Sequence, residues 1–162
     1  MNDNDFSAAV SERRFGGIAR LYGADALNRF AAAHVCVVGV GGVGSWAVEA
    51  LARSGIGELT LIDLDNVAES NVNRQLHALT CDFGKAKVTA LHERILQINP
   101  ACHVTEIEDF VTEDNLPVLF RRPFDFVIDA IDQMRVKAAM AAYFVRQGQP
   151  FILSGGAGGQ KN

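Results

Sequence analysis

The sequence predicts an α/β fold, a mostly parallel sheet with helices on both faces, preceded by a short N-terminal helical appendage. Three observations support this prediction. From about residue 34, short apolar runs alternate with segments of helical period. Those runs are rich in β-forming residues, as strands buried on both faces are. The 162 residues are 49% hydrophobic and 21% charged, which suits one globular core and excludes disordered, collagen-like and disulfide-scaffold classes.

The appendage occupies residues 1–33. Two helices are expected there, at Ala8 to Arg20 and Ala24 to Ala33, although Gly16-Gly17 weakens the first by about 1 kcal/mol per glycine. Residues 34–162 form the Rossmann-like sheet domain. We expect this domain to be incomplete at its C-terminal end, because a glycine-rich segment rather than a helix follows the last apolar run.

Five strands and three crossover helices account for the sheet domain. The predicted strands are Val35 to Val38, Leu59 to Ile62, Cys102 to Ile107, Phe126 to Ile128 and Phe151 to Leu153. Apolar residues at helical spacing predict the helices within 43–51, 88–98 and 136–143. A shorter element near 113–120 connects the third and fourth strands. Open α/β sheets bind ligands at the carboxyl ends of their strands, so the segments after the strands are the candidate site.

Charge and cysteine content narrow the function. Fifteen Lys and Arg against nineteen Asp and Glu give a net charge of -4, without the overall basic field of a nucleic-acid binder. A local basic stripe requires five side chains to converge, namely Arg13, Arg14, Arg20, Lys85 and Lys87. Three cysteines without a C-x-x-C pair argue against a disulfide framework or a zinc site. With no basic leader and no membrane-length apolar run, the sequence favours the cytoplasm.

The segment Gly39-Val40-Gly41-Gly42-Val43-Gly44 is a G-x-G-x-x-G placed between a strand and a helix. Gly39, Gly41, Gly42 and Gly44 allow a tight turn and a close approach of backbone to phosphate at a helix N-terminus. Asp63 ends the second strand 24 residues after Gly39, near the offset of about 20 at which a carboxylate binds ribose hydroxyls. These features predict an adenosine site; the alternative is a tight turn beside a solvated aspartate.

A polar segment, residues 65–75, follows the second strand where NAD-dependent dehydrogenases usually begin a helix. Arg74 offers a planar fork to phosphate oxygens, and Lys87 adds a point charge at the start of the next helix. Two cations near the phosphates suit a triphosphate. The alternative is that Arg74 and Lys87 lie on a solvated face and bind no ligand. Within the same stretch, His77 is expected to be a hydrogen-bonding loop residue rather than an acid or base.

Two carboxylates, Asp129 and Asp132, come at the end of the fourth strand, which faces the glycine loop across the switch point of the sheet. A carboxylate there can hold Mg2+ bridging the phosphates and stabilise a pyrophosphate leaving group. The alternative for Asp132 is the N-cap of the following helix.

Taken together, these motifs resemble the ubiquitin-activating-enzyme-like adenylyltransferases, which include the molybdopterin and thiamine sulfur-carrier activating enzymes. The resemblance rests on five segments: Gly39 to Gly44, Leu61 to Asp65, Ser70 to Gln75, Gly84 to Lys87 and Asp129 to Asp132.

The resemblance also implies roles for individual residues. The position of Asp63 binds ribose, those of Asn71, Arg74 and Lys87 contact phosphates, and that of Asp132 holds magnesium or its phosphates. Asp65 and Gln75 belong to the same motifs and are included among the binding residues. Arg74, Lys87 and Asp132 are the expected catalytic residues. ATP and Mg2+, rather than NAD, are therefore the expected cofactors, and a role for a monovalent cation stays open.

Several details are similar to one branch of the family, which uses ATP to dehydrate threonylcarbamoyladenosine beside the tRNA anticodon. These details are Arg14 to Gly17, Ala19 to Gly23, Asn73 to Leu79 and Gly155 to Gln160. The resemblance implies a tRNA substrate and a homodimer. Sulfur-carrier activating enzymes carry an arginine that reaches the partner's ATP site, but alignment on Arg14 places Gly17 there, and Arg14 or Arg20 is left to replace it.

Three alternatives remain at this stage. One is adenylation of the C-terminus of a ubiquitin-like sulfur carrier, with a sulfur-transfer or ubiquitin-like protein as partner. The others are an NAD-dependent oxidoreductase and a non-catalytic nucleotide-sensing module.

Overall fold

Five parallel strands form the sheet in the computed structural model, which describes residues 3–155, with side chains from residue 13 onward. The strands are β1 (His34–Val38), β2 (Glu58–Ile62), β3 (His103–Ile107), β4 (Phe126–Asp129) and β5 (Phe151–Leu153). Their order across the sheet is β3-β2-β1-β4-β5, and every neighbouring pair is parallel. The predicted α/β fold is confirmed. From β1 the chain adds β2 and β3 on one side of the sheet, and then β4 and β5 on the other side. The switch point between β1 and β4 therefore lies beside the glycine loop.

Six helices are described: α1 (Asp3–Tyr22), α2 (Ala24–Ala32), α3 (Gly44–Arg53), α4 (Lys87–Ile98), α5 (Leu116–Leu119) and α6 (Met134–Gln147). Helix α1 continues through Gly16-Gly17 and ends at Tyr22, just before Gly23, whose φ of 89° falls in the left-handed region. The predicted element at 113–120 shrinks to α5. Its first residues form a turn instead, in which the backbone N–H of Thr112 donates to Asn115 Oδ1 at 2.9 Å.

Alternating residues of the central strand divide the core between the two faces of the sheet. Val35 and Val37 pack with α3 and α4 on one face, whereas Cys36 and Val38 pack with α5 and α6 on the other. All four are buried, as expected for a strand covered on both sides. This packing holds the carboxyl ends of β1, β2 and β4 in fixed positions.

The helical appendage docks at the opposite edge, where the strands begin. Arg14 donates hydrogen bonds to the carbonyls of Gln97 and Ile98 at 3.1 and 2.8 Å, so its cation caps the C-terminus of α4. Phe15 is buried against Gly55, where an added Cβ would meet its ring at 3.2 Å. The appendage therefore contributes to the fold of its own chain.

Candidate nucleotide site

A cavity of about 560 Å3 opens at the carboxyl ends of β1, β2 and β4, a volume typical of small-molecule sites. Ten of the eleven predicted site residues line it: Gly39, Gly41, Gly42, Asp63, Asp65, Asn71, Arg74, Gln75, Lys87 and Asp132. The remaining one, Gly44, is buried as the first residue of α3. Residues up to 93 positions apart in the chain thus meet around one space.

The glycine loop turns sharply between β1 and α3. Gly39 has a φ of 79°, in the left-handed region that favours glycine. A Cβ added at Gly44 would lie 1.8 Å from the Gly39 carbonyl oxygen, so the helix can start this close to the strand only with glycine. At Gly41 and Gly42, an added Cβ would meet only side chains of Gln75 and Arg74, at 3.6 and 3.5 Å. The loop therefore presents its backbone to the cavity.

Asp63 is held by backbone groups from two segments. The N–H of Val40 donates to Oδ2 at 2.8 Å, and the N–H of Asp65 donates to Oδ1 at 2.9 Å. Each carboxylate oxygen keeps acceptor capacity beyond its one bond, and the side chain is half-buried at the cavity wall. Asp63 is thus an oriented acceptor tied to the glycine loop, an arrangement suited to a ribose diol.

Asn71 folds the polar segment back toward the cavity. Its Oδ1 accepts the N–H of Ala68 at 3.0 Å, and its carbonyl accepts the N–H groups of Arg74 and Gln75. Gln75 is 7% exposed, and its Oε1 has no hydrogen-bond partner among residues 13–155. Because that oxygen is also shielded from solvent, Gln75 helps to form the wall of the cavity.

The guanidinium of Arg74 is held only by neutral groups of its own segment. Its Nη1 donates to the Ser70 carbonyl at 3.1 Å and to Asn73 Oδ1 at 2.9 Å. The indole of Trp46, on α3, donates to the Arg74 carbonyl at 3.1 Å. Trp46 was not among the predicted site residues, and only the three-dimensional proximity of α3 to this segment reveals it. The charge of Arg74 remains available for an anion.

Lys87 and Asp65 form an ion pair, with 2.7 Å between Lys87 Nζ and Asp65 Oδ2. Lys87 is buried as the first residue of α4, and its backbone N–H donates to the Asp65 carbonyl at 3.0 Å. Only one of its three ammonium protons is needed by Asp65, which leaves donors for phosphate oxygens. Lys87 and Asp65, which the sequence predicts as separate contacts to the nucleotide, therefore also bind each other.

His77 lies beneath this pair and corrects one expectation. It is 2% exposed, and neither ring nitrogen has a hydrogen-bond partner in the described part of the chain. Burial, followed by the nearby charge of Lys87, lowers the pKa of His77 to about 4. The prediction of a hydrogen-bonding loop residue is wrong, because the loop packs against the core instead of lying in solvent.

Asp132 faces the cavity with an exposed side chain. The N-cap of α6 is Gln133, and no side-chain capping bond is made, so the capping alternative for Asp132 is wrong. Within residues 13–155, Asp132 makes neither a side-chain hydrogen bond nor an ion pair, and no cluster of three potential metal ligands occurs. A single free carboxylate beside a phosphate site fits Mg2+, which is commonly held by one or two carboxylates plus substrate phosphates.

Asp129 differs from Asp132 in that it is fully buried. It accepts the N–H of Ile131 at 3.0 Å and pairs with Lys137 at 2.9 Å. Its burial and its pairing with Lys137 keep Asp129 away from the cavity, so Asp132 is the carboxylate after β4 that is open to a metal ion.

The postulated basic stripe is largely engaged within the chain. Lys85 pairs with Asp82 and Glu93 at 2.9 and 2.6 Å, Lys87 pairs with Asp65, and Arg14 caps α4. These three cations do not form a free basic surface.

Apolar walls of the cavity come from segments that the sequence reasoning missed. Phe110 and Val111 follow β3, and Ile131 follows β4. Their positions just after strands are the available signal, because parallel strands bring their carboxyl ends to one edge, and Ile131 lies within the quoted motif Asp129 to Asp132. These side chains offer an uncharged surface suited to a purine ring.

The structure combines an open parallel α/β sheet with a cavity at its switch point, and the chain belongs to the ThiF family, whose model matches residues 16–160. This confirms the resemblance stated above. The tRNA threonylcarbamoyladenosine dehydratase of Escherichia coli K12 is 58% identical over 91% of this chain, which spans 55% of that relative's length.

Solved structures agree with this relationship. The crystal structure of the E. coli dehydratase in complex with ATP superimposes with a TM-score of 0.90 at 57% identity, over 93% of this chain and 62% of that one. A more distant relative, the sulfur carrier protein ThiS adenylyltransferase of E. coli K12, is 32% identical over 99% of this chain and 62% of its own length. Of the motif segment Gly155 to Gln160, only Gly155 belongs to the described residues. Through residue 155, no helix is long and apolar enough to cross a membrane.

Proposed function

We propose that this chain is the ATP-binding part of an enzyme that dehydrates threonylcarbamoyladenosine in tRNA, with residues 1–33 as appendage and 34–162 as nucleotide domain. The observation that carries the proposal is the single cavity in which an oriented Asp63, a glycine loop and two cations meet a free Asp132. The 58% identity to a dehydratase of that name supplies the substrate class.

The residues around the cavity divide the nucleotide into three parts. Asp63 accepts the ribose hydroxyls, and the uncharged surface of Phe110 and Val111 contacts adenine. The glycine-loop backbone, Asn71, Arg74 and Lys87 contact the phosphates. Arg74 and Lys87 stabilise negative charge as it grows on the leaving phosphates, and this makes them the expected catalytic residues.

Asp132 is the residue that would hold Mg2+, and the ion would supply charge neutralisation on the phosphates. Asp132 itself presents an unpaired carboxylate to the cavity, opposite in sign to the two cations there. The expectation that a monovalent cation assists the reaction gains no support from the side chains of the described residues.

Activation converts a poor electrophile into a good one. An oxygen of the threonyl carboxylate attacks the phosphorus of ATP nearest the ribose and displaces pyrophosphate, which gives a mixed anhydride with AMP. The carbamoyl group of the same nucleoside then attacks the activated carbonyl carbon. This closes the ring and expels AMP. The nucleoside loses one water in total, and the site contributes orientation and charge stabilisation.

Adenylation of a sulfur carrier shares the first step and remains the second candidate. Gly17, at the position where those enzymes carry an arginine, argues against it, as does the lower identity of 32%. Arg14 does not replace that arginine from within this site, because it caps α4 of its own chain. Arg20 is exposed and is the remaining candidate for a contact across a homodimer.

The proposed partners are tRNA and a second copy of the chain, and the proposed compartment is the cytoplasm, where tRNA is modified.

Measuring nucleotide binding tests the proposal that the cavity binds ATP. ATP with Mg2+ should bind at least about ten-fold more tightly than NAD, because the cations and Asp132 face a triphosphate. Tighter binding of NAD would support the oxidoreductase alternative and contradict the proposal.

A further inference from the structure

A buried ion pair lies directly beneath the turn that carries Asp132. Lys137 Nζ is 2.9 Å from Asp129 Oδ2, and the two side chains are 7% and 0% exposed. The atoms are at ion-pair distance but not aligned as a hydrogen bond, and neither has another hydrogen-bond partner within residues 13–155. Each charge therefore depends on the other.

Asp129 and the residue after it connect four parts of the molecule. Its Oδ1 accepts the N–H of Ile131 within the turn, and its carbonyl accepts the N–H of Ser154 after β5. Its Oδ2 faces Lys137, which lies one turn into α6. The next residue, Ala130, donates its N–H to the Val38 carbonyl of β1.

The turn is also in tight contact with the glycine loop. A Cβ added at Gly39 would lie 2.9 Å from Ile131 Cγ2 and 3.1 Å from the Ile131 nitrogen. The turn at 129–133 is thus enclosed by the loop on one side and by α6 on the other. The ion pair of Asp129 with Lys137 is a side-chain link between this turn and α6.

We propose that Asp129 and Lys137 are positioning residues, whose ion pair holds Asp132 at the height where its carboxylate meets the metal-bound phosphates. The proposal rests on the proposed function of the cavity. Lys137 also neutralises Asp129, a buried negative charge close to a site for polyanions. Replacing a buried ion pair by a well-packed apolar pair is often neutral or stabilising, so burial of this pair is weak evidence for a role in stability.

Three variants test the proposal: Asp129→Asn, Lys137→Met and the double variant Asp129→Asn/Lys137→Met. Asn keeps an acceptor for the Ile131 N–H, and the double variant leaves no buried charge unpaired, so it is expected to fold best. Arg135→Met is the matched control, because it removes a basic residue of the same helix whose ion pair with Glu113 is exposed.

Binding of adenosine and of ATP is measured for each chain with and without Mg2+. Loss of such an outer positioning contact is expected to weaken Mg2+-dependent ATP binding by about 10- to 100-fold. Adenosine binding, which depends on Asp63, should stay within about two-fold and also reports that the site is folded. Arg135→Met should resemble the wild type for both ligands.

Several results would overturn the proposal. A folded double variant with wild-type Mg2+ dependence would show that the ion pair does not position Asp132. Equal weakening of adenosine and ATP binding, or loss of the fold in all three variants, would assign the pair a structural role alone. A wild-type chain that binds adenosine but gains nothing for ATP from Mg2+ would instead contradict the proposed function itself.

Discussion

Lowering the pH from 7 to 5 is expected to destabilise the fold by about 2 kcal/mol through His77 alone. Burial and the charge of Lys87 lower the pKa of this histidine from 6.5 to about 4. Between these values the unfolded chain binds a proton that the folded chain excludes. The stability present above pH 6.5 is therefore lost progressively as the pH falls toward 4, by about 3 kcal/mol in total.

Urea unfolding at pH 7, 6 and 5 measures this loss. His77→Leu removes the titrating group and should flatten the pH dependence, whereas His103→Gln, at an exposed histidine, should keep the loss that His77 causes. His34, whose pKa is lowered chiefly by burial, adds a loss of the same sign in all three proteins. Glu49 and Glu106 also have lowered pKa values, but their loss begins below about pH 4.5. If the free energy of unfolding depends on pH equally in the wild type and in His77→Leu, the loss of stability does not come from His77.

Three further predictions concern the site and the appendage. Asp132→Ala should remove Mg2+-dependent turnover and leave adenosine binding largely intact; unchanged turnover would exclude the metal role. Gly44→Ala should destabilise the fold by more than about 2 kcal/mol in urea unfolding, because its Cβ would lie 1.8 Å from a carbonyl, whereas Gly41→Ala should fold normally and weaken ATP binding. Arg14→Ala should cost about 1 to 2 kcal/mol by removing two bonds to the end of α4, and an unchanged melting temperature would contradict that capping role.

The parts of the site that the sequence predicts are those encoded by short-range spacing. The glycine loop and Asp63 follow from motif spacing and from the strands on which they lie, and the structure places them at one cavity. The strand boundaries follow from the apolar runs and agree within one residue at each end. The βαβ pattern alone does not fix the order of the strands, which the structure gives as β3-β2-β1-β4-β5.

What the sequence does not predict depends on long-range packing. The pairing of Lys87 with Asp65 joins residues 22 positions apart, and that of Lys137 with Asp129 depends on the packing of α6 against β4. His77 lies in a stretch rich in polar residues, yet it is buried because the segment folds over the core. Periodicity does not report such contacts, since they arise from tertiary structure.

The central claim is ATP-dependent dehydration of a tRNA nucleoside, and the mass of that nucleoside tests it most directly. The full-length protein is incubated with ATP, Mg2+ and tRNA that carries threonylcarbamoyladenosine, and the tRNA is then digested to nucleosides for mass spectrometry. We predict that the modified adenosine loses the mass of one water when ATP is present and not when it is absent. An unchanged nucleoside mass, together with ATP turnover on a sulfur-carrier protein, would contradict the claim.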